Sequence, residues 1–191
     1  MISPACTLMT KYLAVDIRRV SWKDSLIMKT PIFTFMFATV MALPLSAQET
    51  RTNAFNDPFV QVTSAIAQCP VPEGPLYTEQ EVRDVAHVRA QHGGSCYRVG
   101  RCRLANSYWY DQEIIPRVSQ YIKLDGRFDD TSVWVQGERR LVFLKGCVKT
   151  HEQSEALEKA VWLVDDVMGV VNYLRVGDEP VRYVPAQAEK K

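Results

Sequence analysis

The fold of this protein is decided by residues 111–176, which read DQEIIPRVSQYIKLDGRFDDTSVWVQGERRLVFLKGCVKTHEQSEALEKAVWLVDDVMGVVNYLRV. Apolar residues in the first part recur every three or four positions, which predicts a helix with one buried stripe. They are Ile114, Ile115, Val118, Tyr121 and Ile122. Alternating residues at 133–135 and 142–148, separated by a turn at 136–140, then predict two paired strands.

A second helix and a last strand follow. Thr150 and Gln153 have the spacing of a capping box, which marks a helix start. The apolar face of this helix is Ala156, Leu157, Ala160, Val161 and Val164, and residues 170–176 form the closing strand. This order predicts an α+β fold, a small αββαβ module with a three-stranded sheet.

The segment resembles the BON domain, an αββαβ module of bacterial envelope proteins. The resemblance rests on Asp111 at the start of the first helix, on a V-x-L-x-G-x-V second strand, and on the closing strand. Its fold-defining positions are Val142, Leu144, Gly146, Val148, Leu174 and Val176. BON domains bind phospholipids, so the resemblance implies a phospholipid or membrane surface as partner.

The segment departs from the family in three respects. Asp166 stands where the family usually has a glycine, and Pro116 lies inside the first helix, where proline removes a hydrogen bond. Family members often carry two copies of the module, whereas this chain shows one at about 106–177. Functions that need paired modules therefore do not transfer to it.

The N-terminal region is typical of a secretory leader. Lys29, the apolar run 32–43 and the small pair Ser46-Ala47 predict a signal peptide that starts at Met28 and is cleaved after Ala47. Residues 1–27 are then an extension from a start codon placed too far upstream, or a genuine extension. We expect a periplasmic or secreted protein.

Removal of residues 1–47 leaves 18 basic and 20 acidic residues. A chain that is nearly neutral has neither the basic patch of a nucleic-acid binder nor a polybasic membrane patch. After a flexible linker at 48–58, residues 59–105 form an N-terminal elaboration, and residues 178–191 read as a tail. Within the elaboration we expect a short helix from Phe59, a capped helix from Thr78 to about Gln91, and a hairpin-like segment at 95–105.

Four cysteines remain after the leader, an even number that favours disulfides in an exported protein. We favour Cys96–Cys102 and Cys69–Cys147, and the other two connectivities stay open. In the three-stranded sheet, the face turned away from the helices carries Trp134, Phe143, Tyr173 and Cys147. Such an apolar face needs a cover, and we expect residues 59–105 to provide it through the Cys69–Cys147 bond. Gly146 permits a close backbone approach or a bulge, or it opens a ligand site.

Candidate sites are few. His87, His92, Cys96 and Cys102 suit zinc only if the cysteines are reduced, and no catalytic motif is present. We therefore predict no metal, no cofactor and no enzymatic activity.

The aromatic run Tyr108-Trp109-Tyr110, with Arg117 nearby, suits contact with lipid headgroups or with a partner. Alternatively, these rings attach the elaboration to the module. The sequence predicts a non-enzymatic envelope protein that contacts phospholipid surfaces and supports envelope integrity. The alternative is a module that docks an envelope or secretion protein by strand addition or helix packing.

Overall fold

The structure, a computed structural model, describes residues 49–187. The predicted leader and its cleavage after Ala47 lie outside the described residues, as do residues 188–191. The helices and strands are β1 (Phe59–Gln61), α1 (Glu79–Gly93), α2 (Ser95–Arg98), a 3₁₀ helix (Ser107–Tyr110), α3 (Asp111–Asp125), β2 (Ser132–Glu138), β3 (Leu141–Val148), α4 (His151–Trp162) and β4 (Gly169–Val176).

One mixed sheet has the strand order β1-β2-β3-β4. β2 and β3 form an antiparallel pair, and β4 runs parallel to β3 because α4 carries the chain back across the sheet. The α+β class is as expected, but the sheet has four strands rather than three. Residues 59–61, expected in a short helix, pair with β2 instead, with Phe59 opposite Gln136. The unpaired edge of β2 needs backbone hydrogen-bond partners, and residues 59–61 provide them. The apolar spacing of residues 59–66 carries no information about this distant edge, so the helix prediction was wrong.

The core lies between the sheet and the two helices α3 and α4. The predicted sheet positions Val142, Leu144, Val148 and Leu174 are at most 1% exposed, and Val176 packs against them from the margin. They meet Ile114, Ile115, Val118, Ile122, Leu157 and Val161 from the helices. The periodicity therefore identified both layers of this core.

A two-residue turn joins β2 to β3, shorter than the predicted turn at 136–140. Arg139 and Arg140 have φ of 53° and 67°, a left-handed conformation that suits the twist of a hairpin but costs energy in arginine. The Asp111 carboxylate accepts hydrogen bonds from both backbone N–H groups at 2.7 Å. Asp111 is completely buried, and this burial raises its pKa to about 7. It thus joins the start of α3 to the hairpin.

Gly146 lies in β3 with φ of 124°. A Cβ at this position would lie 2.1 Å from the carbonyl oxygen of Ser132 on β2, closer than any real contact. The glycine therefore permits close approach of the neighbouring strand, which is the structural one of its two readings.

Both capped helices begin at the predicted residue. Thr78 and Glu81 form a reciprocal capping box at α1. Thr150 accepts from the N–H of Gln153 at α4, but the Gln153 side chain accepts from the N–H of Lys149 instead of closing the box. The hairpin expected at 95–105 is absent. The short helix α2 and an irregular loop occupy this segment.

The second face of the sheet is covered in part by the elaboration. Phe59, Ile66 and Cys69 pack against Trp134 and Cys147, and the Cys69–Cys147 disulfide closes this contact. The second disulfide joins Cys96 to Cys102. These are the two pairings that the sequence analysis favoured.

Two further segments cross the same face. Residues 70–74 and 181–186, here called the strap, run side by side, with Glu73 N–H donating to Val184 C=O and Ala186 N–H donating to Val71 C=O at 2.8 Å. The hydroxyl of the buried Tyr183 donates to the carbonyl of Pro70 at 2.6 Å. Much of the expected tail is therefore anchored to the elaboration, a contact between distant segments that local sequence does not show.

Candidate lipid-contact surface

The aromatic run occupies the 3₁₀ helix that leads into α3. Asn106 precedes it, and its side-chain oxygen accepts from the N–H of Tyr108 at 3.0 Å, which fixes the start of the turn. The three rings then point into different surroundings. The single aromatic cluster expected from the sequence is therefore divided.

Tyr110 belongs to the core. It is 1% exposed, and its hydroxyl accepts from the N–H groups of Arg103 and Leu104 at 2.6 and 2.9 Å. The guanidinium carbons of Arg140 and Arg103 lie 4.6 and 5.1 Å from its ring centre. Tyr110 thus holds the loop before α3 against the module and is not available to a membrane.

Tyr108 attaches helix α1. Its half-buried ring centre lies 3.8 Å from the guanidinium carbon of Arg89, and the ring centre of Phe55 lies 4.3 Å from the same carbon. Arg89 also makes two hydrogen bonds to the buried Asp57 carboxylate, at 2.5 and 2.8 Å. Burial raises the pKa of Tyr108. For Tyr108 and Tyr110, the alternative interpretation, attachment of the elaboration to the module, accounts for the contacts.

Trp109 differs, because it is 57% exposed. Along the helical segment, Trp109, Glu113, Arg117 and Leu124 follow spacings of four, four and seven residues and so share one stripe. Leu124 is 77% exposed and lies roughly 22 Å from Trp109 at the helical rise per residue. This stripe, which begins in the 3₁₀ helix and continues along the outer face of α3, therefore carries a large apolar side chain near each end.

Charges between these ends are mostly cationic or paired. Glu113 binds Arg103 at 2.6 Å, and Asp111 is buried beneath the helix, so neither offers a free carboxylate to a headgroup. Arg117 lies on the same stripe, and Lys123 and Arg127 follow at the far end, with Arg127 bound to Asp125. The face is thus less acidic than its sequence implies.

Arg117 takes part in an arginine cluster around Asp166. Its guanidinium donates to the Asp166 carboxylate at 3.0 Å, while Arg140 and Arg103 approach the same carboxylate at 3.6 and 3.8 Å. Arg140 also donates to the Asp166 carbonyl at 2.9 Å. Three cations therefore surround Asp166 beside the start of α3, and because Glu113 pairs with one of them, Arg103, the cluster keeps one positive charge in excess.

More apolar side chains are exposed at the end of α4. Trp162 and Leu163 are 49% and 74% exposed, and Met168 at the start of β4 is 57% exposed. Because Arg117 reaches Asp166, and Gln153 at the start of α4 bonds to the carbonyl of Arg127, α3 and α4 run antiparallel. A shallow groove of about 410 Å³ runs along α4 between Arg127 and Leu163.

Sequence reasoning identified Trp109 and Arg117 but missed several residues that matter here. Leu124 and Leu163 follow helices with apolar faces, so the sequence gives no sign that they differ from core residues. Only the structure shows that both side chains are exposed. The Arg89–Asp57 pair has no sequence signal, since its members are 32 positions apart. Asp111 was noted as a family position, without its role at the turn.

Within residues 49–187, no three His, Cys, Asp or Glu side chains are grouped to hold a metal ion. Both cysteines of the zinc set considered from the sequence are engaged in the Cys96–Cys102 disulfide. In the same part of the chain, no helix is both long enough and apolar enough to cross a bilayer.

Comparison with known proteins agrees with the architecture. A search of curated proteins finds no match for this chain. The family model of the BON domain matches residues 110–178, which run from the last residue of the 3₁₀ helix to just beyond β4. Phospholipid binding and occurrence in envelope proteins are known of this family. Residues 110–178 therefore form a single BON domain within a longer chain.

Proposed function

We propose that this protein is an exported, non-enzymatic envelope protein whose BON domain contacts phospholipid membranes through the outer face of α3. The observation that supports this most directly is the exposure of Trp109 and Leu124 near opposite ends of one helical face. The proposed location is the periplasm or the cell exterior, and the proposed role is support of envelope integrity.

The face has the chemistry of an interfacial helix. An indole ring suits the headgroup boundary, and the leucine adds apolar area at the other end of the same face. Full burial of two such side chains contributes about 3 to 6 kcal/mol, and partial insertion contributes less. Arg117 and the cluster around Asp166 add attraction to anionic headgroups. The binding is then reversible and sensitive to salt.

The test is flotation of the purified protein with vesicles of phosphatidylcholine, with and without phosphatidylglycerol. We expect co-flotation with the anionic vesicles and a loss of at least fivefold for Trp109→Ala. Tyr97→Ala is the matched control, because Tyr97 is an aromatic residue of α2 that is 50% exposed and does not belong to the stripe that Trp109 shares with α3.

If the wild-type protein does not float with either vesicle, the membrane proposal is wrong. If Tyr97→Ala reduces flotation as much as Trp109→Ala, the effect does not belong to α3. Leu124→Ala gives a second reading at the other end of the helix, where we expect a smaller loss because leucine has no polar tip for the headgroup layer.

The alternative is docking of an envelope or secretion protein. Two side chains occupy the backbone groups of Leu174 on the edge strand β4. Asn172 Oδ1 accepts from the Leu174 N–H at 3.0 Å, and Arg182 donates to the Leu174 carbonyl at 2.8 Å. Addition of a further strand to β4 is therefore obstructed at this residue. The groove beside α4 offers a protein partner a surface for helix packing. Absence of flotation together with crosslinking from Leu163 to one defined envelope protein would favour this alternative.

A further inference from the structure

An open, shallow cavity of about 530 Å³ lies between the strap and the sheet, on the face opposite α3 and α4. Its floor is formed by Lys145 of β3 and Tyr173 of β4, and its walls include Glu73, Arg182, Tyr183 and Val184. Neither the family comparison nor the lipid-contact surface accounts for it.

Lys145 is the innermost charge of the cavity. Its half-buried ammonium donates to Gln136 Oε1 at 2.7 Å and to the carbonyl of Glu73 at 3.3 Å, which leaves one of three donors. Within residues 49–187, no carboxylate oxygen lies within 4.0 Å of its nitrogen. Burial lowers the pKa of Lys145, and the more distant carboxylates of Glu73 and Glu138 oppose this shift.

Arg182 brings a second cation to the cavity mouth. Its side chain is exposed and donates to the carbonyl of Leu174, and no described carboxylate lies within 4.0 Å of it. Glu73 is the single acidic residue among the lining residues, and its carboxylate binds Arg51. The cavity therefore carries two cations that form no ion pair within the described part of the chain, and the acidic groups that act on Lys145 from beyond 4.0 Å are Glu73 and Glu138.

The aromatic ring of Tyr173 gives the cavity a flat floor, and Arg175 places another positive charge beside it. Tyr173 stacks on Phe143 with ring centres 6.4 Å apart, which fixes its orientation in the floor. Arg175 follows on the same face of β4, and its buried Nε has no hydrogen-bond partner. Among residues 49–187, the one carboxylate that its guanidinium reaches is that of the fully exposed Asp178, at 3.5 Å.

We propose that this cavity binds a phosphoryl group, held between Lys145 and Arg182 against the ring of Tyr173. A phosphate monoester carries a charge of about −1.5 to −2 at neutral pH, which matches two cations better than a single carboxylate does. Guanidinium and ammonium groups are also the usual donors to phosphate oxygens. The group belongs to a small soluble phosphate ester or to a phospholipid headgroup.

Titration calorimetry at low ionic strength with inorganic phosphate and with glycerol 3-phosphate tests the soluble source. Vesicles containing phosphatidic acid test the headgroup. The variant is Arg182→Gln. We expect it to fold, because the side chain of Arg182 is exposed. Arg98→Gln is the matched control, because Arg98 is also exposed, donates to a backbone carbonyl and has no carboxylate within 4.0 Å among the described residues.

We expect saturable binding in one of the two tests, either the soluble phosphates or the vesicles. The affinity in that test should fall at least tenfold in Arg182→Gln and stay unchanged in Arg98→Gln. The test in which this occurs identifies the source of the phosphoryl group. If neither test shows binding, or if binding does not depend on Arg182, the inference is wrong. In the calorimetric titrations with inorganic phosphate and glycerol 3-phosphate, Trp109→Ala should leave binding unchanged. With vesicles it lowers membrane contact by α3, so there only the difference between Arg182→Gln and Arg98→Gln reports on the cavity.

Discussion

At the residue scale, Asp166 shows how one departure from the family pattern is accommodated. It adopts φ of 72°, a left-handed conformation that explains why a glycine is usual at this position. Asp tolerates this conformation better than most residues. Its carboxylate then gathers Arg103, Arg117 and Arg140. The substitution thus exchanges backbone freedom for an ionic cluster.

Replacement of Asp166 separates these two contributions. We expect Asp166→Ala to lower the free energy of unfolding by about 1 to 2 kcal/mol, and Asp166→Gly to lower it by less, because glycine adopts the positive φ without strain. Urea denaturation measures both values. The ion pairs themselves contribute little, since the carboxylate is partly exposed.

The same two variants remove the carboxylate that Arg117 and Arg140 share, whereas Arg103 stays bound to Glu113. Flotation with anionic vesicles should therefore rise at least twofold in both, while binding to neutral vesicles stays unchanged. Equal stability of the alanine and glycine variants would contradict the role of φ, and unchanged flotation would contradict the role of the arginines in membrane contact.

At the scale of the element, strand β3 depends on one residue. Gly146 combines φ of 124° with a backbone oxygen that a Cβ would meet at 2.1 Å. Neither condition can relax without moving β2, which is paired on both of its edges. The strand is therefore intolerant of any side chain at this position.

We expect Gly146→Ala to lower the free energy of unfolding by more than about 3 kcal/mol, because it adds a steric clash to backbone strain. Gly177→Ala is the control, since Gly177 has φ of 53° but no atom within 4 Å of an added Cβ. It should cost about 1 kcal/mol from strain alone. Similar costs for both variants, measured by urea denaturation, would show that the approach of Ser132 is not limiting.

At the scale of the whole molecule, the elaboration is held to the BON domain by contacts between distant residues. The Cys69–Cys147 disulfide spans 78 positions and fastens the covering segment to the centre of the sheet. On the other side, the Arg89–Asp57 pair and the ring of Tyr108 hold α1. The elaboration is thus an integral part of the fold.

Removal of the long disulfide should cost more than removal of the short one. Chain entropy predicts a loss of about 4 kcal/mol for the Cys69→Ala/Cys147→Ala variant, and about 2 kcal/mol for Cys96→Ala/Cys102→Ala, whose loop spans only six positions. Thermal and urea unfolding of the two double variants measure the difference. An equal loss would show that the long bond does not restrict the unfolded chain as the loop lengths imply.

The sequence by itself determined the features that depend on neighbours along the chain. Helix starts at Thr78 and Thr150, the inward positions of β3 and the BON pattern follow from short-range periodicity and capping chemistry. The sequence also predicted Trp109 as a contact residue, but it did not show that Tyr108 and Tyr110 pack against the protein while Trp109 stays exposed.

Only the tertiary structure decided which distant segments meet. The pairing of Phe59–Gln61 with β2, the strap across the sheet, the Asp57–Arg89 pair and the cavity at Lys145 all join residues far apart in sequence. Backbone groups at a strand edge and uncovered apolar faces must find partners, but local sequence does not specify which segment supplies them. The sequence of the BON module was therefore sufficient to predict its fold. Which of its surfaces stay exposed depends on the segments that pack against it.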